Sequence, residues 1–512
     1  MKMLLQHIYF FLLASFFINH VYGNTCQQKN VTYGYVCVCN STYCDTVPQV
    51  DVKEGIYQLY TTTSQMLGFS TIKGQIKSNS EGISKYKIDL TTSNPKQTVF
   101  GFGGAFTGST GFNINGLSSR AQDNLLESYF GAGGIEYTLC RVPIGGSDFS
   151  LKKYTYDDDH VGDVDLKYFA LQDEDLLFKI PYIKKANELS NNTLELFASA
   201  WSAPPWMKTN NDFAGVGFLK LEYYQTWAEY YVKFFEEYDK RGVKFWGVTT
   251  QNEPFDGFLP QLISQIPSMG FDNHQMNQWL SQHLGPTLKN SSFNDLKVMI
   301  HDDSRHTLPL LPIILENPQS MQYVHGVAVH WYADKITPSE YLDLFTKSSK
   351  KELFLLGTEA CNGFLHALNL EHSVELGSWA RAEKYVRNII TDFAHGAVGW
   401  VDWNMVLDES GGPCAIDNKV DAPVITNNAT GEFYKQPMFY AMGHFSKFLR
   451  PKSQVLDVQD GLLKSVAVLR PDGLHAVLVF NEGQDATNVE IKSNKGVIDV
   501  EIQKHSINTI LF

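Results

Sequence analysis

Eight short apolar runs of β-favouring residues, separated by sequence with a helical period, set the strongest limit on how this chain can fold. They are Val99–Phe106, Tyr137–Val142, Leu194–Ala200, Lys244–Thr250, Lys297–His301, Gly326–Trp331, Glu352–Gly357 and Ala397–Trp403. Helical patterns lie between them, among them Asp173–Ser190, Leu219–Arg241, Asn273–Lys289 and Leu376–His395. Strands that alternate with helices build a parallel sheet, because a parallel partner is reached only through a crossover. Eight such units predict an α/β protein with a closed (β/α)8 barrel, a TIM barrel. An open doubly wound sheet competes with it. Against that sheet, Gly101-Phe-Gly-Gly-Ala105 lacks the full dinucleotide fingerprint, and residues with chemistry stand at many strand ends instead of one crevice.

The flanks have no helical period and cannot be barrel repeats. Ile56–Thr63, Ser84–Thr91, Ser465–Phe480 and Val497–Phe512 alternate as strands do, and Arg470-Pro-Asp-Gly473 supplies a hairpin turn. They predict a β-sandwich built from both chain ends, residues 51–97 with 451–512. A small Cys-rich β-sheet module is expected from residues 24–50 with 405–436, leaving 98–404 with 437–450 for the catalytic barrel.

One lysine, an apolar stretch and then Val21-Tyr-Gly23 read as a secretory signal over residues 1–23. A membrane anchor fits less well, since His7 and Asn19 break a run already short for a span. No other stretch is long and apolar enough for a transmembrane segment. A net charge of −13 disfavours nucleic acid as a partner. Of seven cysteines, Cys26, Cys37, Cys39 and Cys44 crowd the N-terminus. In a secreted chain they read as two disulfides, with three connectivities open; a zinc site is the weaker reading because Cys37-Val-Cys39 is poor spacing for it. Sequons at Asn30, Asn40, Asn191, Asn290 and Asn428 fit a glycoprotein.

Two glutamates carry the chemistry. Glu253, in Thr250-Gln-Asn-Glu253-Pro, follows the fourth strand, and Glu359, in Gly357-Thr-Glu359-Ala-Cys, follows the seventh. They lie 106 positions apart, room for roughly three strand–helix units of ~30 residues. Such a spacing sets them opposite each other across the barrel mouth, as glycoside hydrolysis requires of its two carboxyls. Arg141, at the end of the second strand, is the expected support for an ionised Glu359. Strand ends also carry Trp201, Trp206, His330, Trp331, Tyr332, Trp400 and Trp403. A tryptophan taken alone is more often a packing residue, but recurrence at one end of several strands favours a carbohydrate pocket. Alternation turns Trp331 and Trp400 into packing and His330, Tyr332 and Trp403 toward the mouth. In His301-Asp-Asp-Ser-Arg-His306, Asp303 is expected to support the site in preference to a metal cluster. Asp157-Asp-Asp-His160 reads as a solvated loop, since it lacks the glycine and closing glutamate of a calcium hand. Cys361 shows no Cys–His partnership, and neither a metal nor a cofactor is called for.

Several blocks together are similar to the lysosomal acid glucosylceramidases of glycoside hydrolase family thirty. They include Cys37-Val-Cys-Asn-Ser-Thr-Tyr-Cys44, Trp206-Met-Lys-Thr-Asn210, Thr250-Gln-Asn-Glu-Pro254, His325-Gly-Val-Ala-Val-His-Trp-Tyr332 and Tyr434-Lys-Gln-Pro-Met-Phe-Tyr440. The Asn-Glu-Pro triplet is common in the clan, whereas the last two blocks are far more specific. The resemblance implies Glu253 as acid/base and Glu359 as nucleophile of a retaining β-glucosidase acting on glucosylceramide. It implies sugar contacts from Asp148, Trp201, Asn252 and Trp403, with His330, Tyr332 and Asn418 around the mouth. It also implies disulfides Cys26–Cys37 and Cys39–Cys44, with Cys140, Cys361 and Cys414 free. The expected setting is the lysosome lumen, at an anionic membrane surface, with a saposin-type activator and a lysosomal sorting receptor as partners. The segment Phe255–Met269, Asn362-Gly-Phe364 and Cys414-Ala-Ile-Asp417 depart from the family pattern. All three border the entrance, so they bear on the aglycone and activator, not on the chemistry. Two alternatives stay open: a secreted family-thirty hydrolase of another β-linked glycan, and a catalytically inactive carbohydrate-binding glycoprotein. Retention of both glutamates argues against the second.

Overall fold

The computed structural model describes residues 24–512 except 81, 83, 92–94, 345–351, 367–369 and 461–463; the signal expected over residues 1–23 lies outside them. Eight parallel strands close into a barrel in chain order. They are β1 (Gly101–Ala105), β2 (Leu139–Ile144), β3 (Glu195–Ala200), β4 (Gly247–Thr249), β5 (Lys297–Ser304), β6 (Val324–His330), β7 (Phe354–Glu359) and β8 (Ala397–Asn404). All eight predicted runs are barrel strands. The glycines of β1 are there for space: a Cβ on Gly103 would fall 1.8 Å from the Leu139 carbonyl oxygen of β2.

The barrel interior is layered. At the N-terminal ends of the strands Phe100 meets Trp246 and Phe354 edge-on, at ring distances of 5.6 and 5.1 Å. Above them Leu139, Phe197, Met299, Ala328, Leu356 and Val401 form an aliphatic plug. The next layer is polar and buried: Arg141, Ser199, Thr249, Asp302 and Thr358. Burying a charge at this depth is tolerable only with paired partners. The network described below supplies them.

The flanks form three sheets. A six-stranded sheet pairs Ile56–Thr63 with Ser506–Leu511, so both chain ends share one sheet. A four-stranded sheet, with Tyr86–Thr91 and Thr487–Ser493 paired inside it, packs on the first around Leu59, Ile88, Val477, Val489 and Ile510. That is the sandwich. His444, on the helix Pro437–Ser446 that follows the barrel, bridges Thr62 and Thr509 at 3.0 and 2.9 Å and ties the sandwich to the barrel. Burial drives its imidazole down to about 3, so it is neutral and one ring nitrogen donates while the other accepts.

The third sheet orders Gln28–Val31, Gly34–Cys39, Glu432–Lys435, Val424–Asn427 and Val406–Asp408. Cys26 is bonded to Cys37 and Cys39 to Cys44, while Cys140, Cys361 and Cys414 are free. The bridges close loops of 11 and 5 positions, each worth roughly 2–3 kcal/mol in the chain-entropy description. Peptide mapping without reduction should recover these two pairs, with alkylation confined to the other three cysteines. An alkylated Cys37 or Cys39 in the native protein would overturn the pairing. Among the described residues no helix is long and apolar enough to cross a membrane.

Candidate active site

The C-terminal ends of the strands open into a cavity of about 420 Å³. Asp148, Trp201, Glu253, Tyr332, Glu359, Trp403 and Asn418 line it, together with Phe255, Asp256, Leu259, Asp303 and Phe364. Glu359 ends β7 with a side chain only 7% exposed. One carboxylate oxygen meets the Arg141 guanidinium, and the other accepts the Tyr332 hydroxyl at 2.6 Å. Arg141 is wholly buried, donating to Ser199 Oγ at 3.1 Å, to Asn252 Oδ1 at 2.8 Å and to Asp302 Oδ2 at 2.6 Å. Its guanidinium lies 4.8 Å from the Trp201 ring and 5.6 Å from Trp403, and the two indoles stack at 5.1 Å. A fixed cation and a phenol on the two oxygens hold the Glu359 side chain in place and aim it.

Glu253 stands in the opposite environment. It follows β4 with a left-handed φ of +37°, costly for a residue with a Cβ, and its N–H is held by the Asp302 carbonyl at 2.9 Å. Burial, then the neighbouring Asp256 charge, push its carboxyl well above the usual range, and Glu359 adds to the shift. Glu253 therefore holds its proton well above the pH at which a free glutamate loses it. One oxygen of each comes within 4.8 Å of the other.

His330 lies between Glu253 and Asp302. Nδ1 is 2.8 Å from Glu253 Oε1 and Nε2 is 3.0 Å from Asp302 Oδ1. Although burial opposes its charge, Glu359 and Asp302 raise the imidazole to about 10, so both nitrogens donate. Asp302 also accepts from Thr249 and Thr358, each at 2.7 Å, and against its burial Arg141 and His330 hold it far below the carboxylate range. This buried carboxylate joins the two halves of the site.

Most residues expected around the sugar are brought together. Asp148, Trp201, Tyr332, Trp403 and Asn418 surround the two glutamates, and Asn418 donates to Asp148 at 2.8 Å. Burial and then the Glu359 charge raise Asp148 to about 7. Asn252 lies slightly deeper, 3% exposed and held by Arg141. His330 is not at the mouth: its side chain is fully buried beneath it, where β6 and β7 shift register between Val329 and His330. Trp331 and Trp400 pack together and on Tyr385.

Two further expectations need correction. Asp303 was the expected supporting carboxylate, yet Asp302 sits at the centre of the network. His301 and Asp302 have φ of +80° and +54°, and the β5–β6 register shifts between His301 and Asp303. Such a bulge reverses the side-chain alternation that sequence patterns assume. Asp303 instead faces the cavity and accepts the Phe255 N–H at 3.4 Å. The Asp157-Asp-Asp-His160 loop is not wholly solvated either, since Asp157 is buried against His160.

Asp256 carried no distinguishing signal, because an acidic residue in an entrance loop is ordinary. Cys361 is buried and burial pushes its thiol well above the usual range, so it is no thiolate nucleophile. Glu253, His330 and Glu359 have the proximity of metal ligands, but Arg141, Tyr332 and Asp302 already engage the donors.

Residues 99–449 match the family model for the glycosyl hydrolase family 30 TIM-barrel domain, and residues 452–510 match that for the family's β-sandwich domain. The chain is 39% identical to the lysosomal acid glucosylceramidase of Mus musculus, over 98% of each chain. It is 28% identical to an endo-1,6-β-D-glucanase of Aspergillus fumigatus, over 83% of this chain and 87% of that one. The crystal structure of SrfJ from Salmonella typhimurium superposes with a TM-score of 0.80 at 25% identity, covering 89% of this chain and 99% of that one.

Proposed function

The chain belongs to glycosyl hydrolase family 30 and is a glycoside hydrolase, and on that premise we propose a retaining β-glucosidase that splits glucosylceramide into glucose and ceramide. The separation of the two glutamates carries the retaining reading. Oxygens within 4.8 Å fit the roughly 5–5.5 Å separation of a retaining pair and fall short of the roughly 6.5–9.5 Å at which an inverting pair seats its water. Glu359 attacks the anomeric carbon while Glu253 gives its proton to the departing oxygen, which keeps the electron pair of the broken bond. Once Glu359 is an ester its charge is gone, and Glu253 serves as base toward the incoming water. Asn252 bonds the hydroxyl beside the reacting carbon. Asp148, Trp201, Trp403 and Asn418 close around one sugar, so single glucose units are released.

Glucosylceramide supports a site of action at a bilayer, because ceramide is too apolar to leave one. In the segment after Glu253, Leu262 is 99% exposed and Ile263 70%. Phe258 packs on Phe218 and Phe255, and Leu259 lines the cavity, so Leu262 and Ile263 are the membrane-facing pair. A chain of charge −13 is repelled by an anionic membrane near neutral pH, and protonation of its carboxylates at acidic pH relaxes that repulsion. This fits sphingolipid catabolism in the lysosome lumen, with a saposin-type activator and a sorting receptor as partners. Sequon asparagines Asn30, Asn191, Asn290 and Asn428 are exposed and free to carry glycans.

Purified protein should therefore release glucose from glucosylceramide in liposomes, faster with anionic lipid and fastest at acidic pH. Replacing Leu262 and Ile263 together by Ser should impair the liposomal reaction far more than hydrolysis of a soluble aryl glucoside. Equal loss on both substrates would assign the pair to packing. The glucanase relative makes β-1,6-glucan the competing substrate. Preferential cleavage of that polymer would sink the lipid reading.

A further inference from the structure

Asp256 opens a short 3-10 turn, Asp256–Phe258, three residues after Glu253, and its N–H bonds the Glu253 carbonyl at 2.9 Å. The turn swings its carboxyl back into the same cavity, beside the Glu253 carboxyl. Two carboxyls side by side in one cavity resist both being ionised, so one proton between them is the favoured state, with the neutral group as donor and the ionised one as acceptor. Glu253 Oε1 is already occupied by His330 at 2.8 Å, which leaves its other oxygen for that proton. The groups facing the pair are His330 beneath it, Asp303 on β5 and His306 just after that strand, and Glu359 across the cavity. Asp303 accepts the Ser304 and Phe255 N–H groups, and burial and then the Asp256 charge raise its carboxyl to about 7. The double displacement outlined above makes no use of Asp256.

We propose that Asp256 is a positioning residue for the acid step: it shares one proton with Glu253 and holds it at the cavity wall for delivery to the departing oxygen. This rests on the reading of Glu253 as acid/base. In the first step the proton passes from Glu253 to the glycosidic oxygen, which retains the electrons of the C–O bond, while Glu359 forms the new bond to carbon. The pair is then left with both carboxyls ionised. Their repulsion makes Glu253 a stronger base toward water in the second step. Burial pushes the Asp256 carboxyl up to about 6, in keeping with a proton that neither partner gives up easily.

The test compares wild type, Asp256→Asn and Asp256→Glu by the pH profile of kcat/KM on an alkyl glucoside and on a dinitrophenyl glucoside. A carboxamide carries no charge and donates to ionised Glu253, so Asp256→Asn should move the alkaline limb for the alkyl glucoside down by about one pH unit or more. Asp256→Glu should keep the limb near the wild-type position. On the dinitrophenyl glucoside, whose leaving group needs no proton, kcat/KM should change by less than about threefold. Asp256→Ser also removes the charge and should move the limb the same way, which separates the charge from the shape of the residue. An unmoved limb in both neutral variants, or equal loss on the two glucosides at every pH, overturns the proposal. Azide with Glu253→Ala distinguishes the two levels. If azide rescues that variant while the limb stays fixed, only the proton sharing fails; if azide does not rescue it, the acid/base reading falls as well.

Discussion

Glu359→Gln should lower kcat/KM by several powers of ten on every glucoside while the protein stays folded, because the amide keeps the shape of the side chain and removes the attacking charge. The Tyr332 hydroxyl can still donate to the amide oxygen, so the pocket keeps its form. Glu253→Ala should behave differently. Loss of a general acid costs roughly 10²–10⁴-fold where the leaving group needs a proton and little where it does not. The glucosyl-enzyme should then accumulate for lack of a base, and azide should restore turnover as a β-glucosyl azide, since an anion needs no deprotonation. Rescue of the Glu359 variant with a β-product, and none of the Glu253 variant, would exchange the two roles.

Asp302→Asn should damage both stability and turnover although Asp302 touches no substrate. Its carboxylate is the common partner of Arg141, which holds Glu359, and of His330, which holds Glu253. Removing one member of a buried ionic network leaves the others without a counter-charge, at a cost of roughly 3–5 kcal/mol. Misplacement of both glutamates should in addition lower kcat/KM by ~10²-fold. Urea unfolding and kinetics at one pH check both. Full stability with full activity would show that Arg141 and His330 are held by other groups.

The same network predicts a pH signature. His330 has a folded value of about 10, above the ~6.5 of an unfolded histidine. Its contribution is complete below that unfolded value and is lost as pH rises toward the folded one. The stability difference between wild type and His330→Gln should accordingly shrink from pH 6.5 upward. A difference that stays constant, or widens, would mean that the buried imidazole is neutral.

Much of this was legible in the sequence, for local reasons. Runs of Val, Ile, Leu and Phe interrupted by helical periods need no distant partner to be recognised, and all eight became barrel strands. Strand ends in a parallel barrel all open at one face, so Glu253 and Glu359 were bound to meet once the strand count was known. The flanking strands were readable by alternation, and the four clustered cysteines by number. Asp256 was visible as a letter but not as a neighbour, because only the turn at Asp256–Phe258 brings it back to Glu253.

The identity of the central carboxylate was decided by tertiary structure alone. Asp302 and Asp303 are chemically equivalent in the chain, and a period of two assigns them to opposite faces. The left-handed residues His301 and Asp302 break that period, and what selects the bulge is the set of partners waiting on β2, β4, β6 and β7. The burial of His330 has the same origin, as does the union of Ile56–Thr63 with Ser506–Leu511 across the whole length of the chain. Periodicity records what each segment can become from its own neighbours. Which charge meets which counter-charge depends on where the folded chain returns, and a buried ion is stable only where that return supplies its partners.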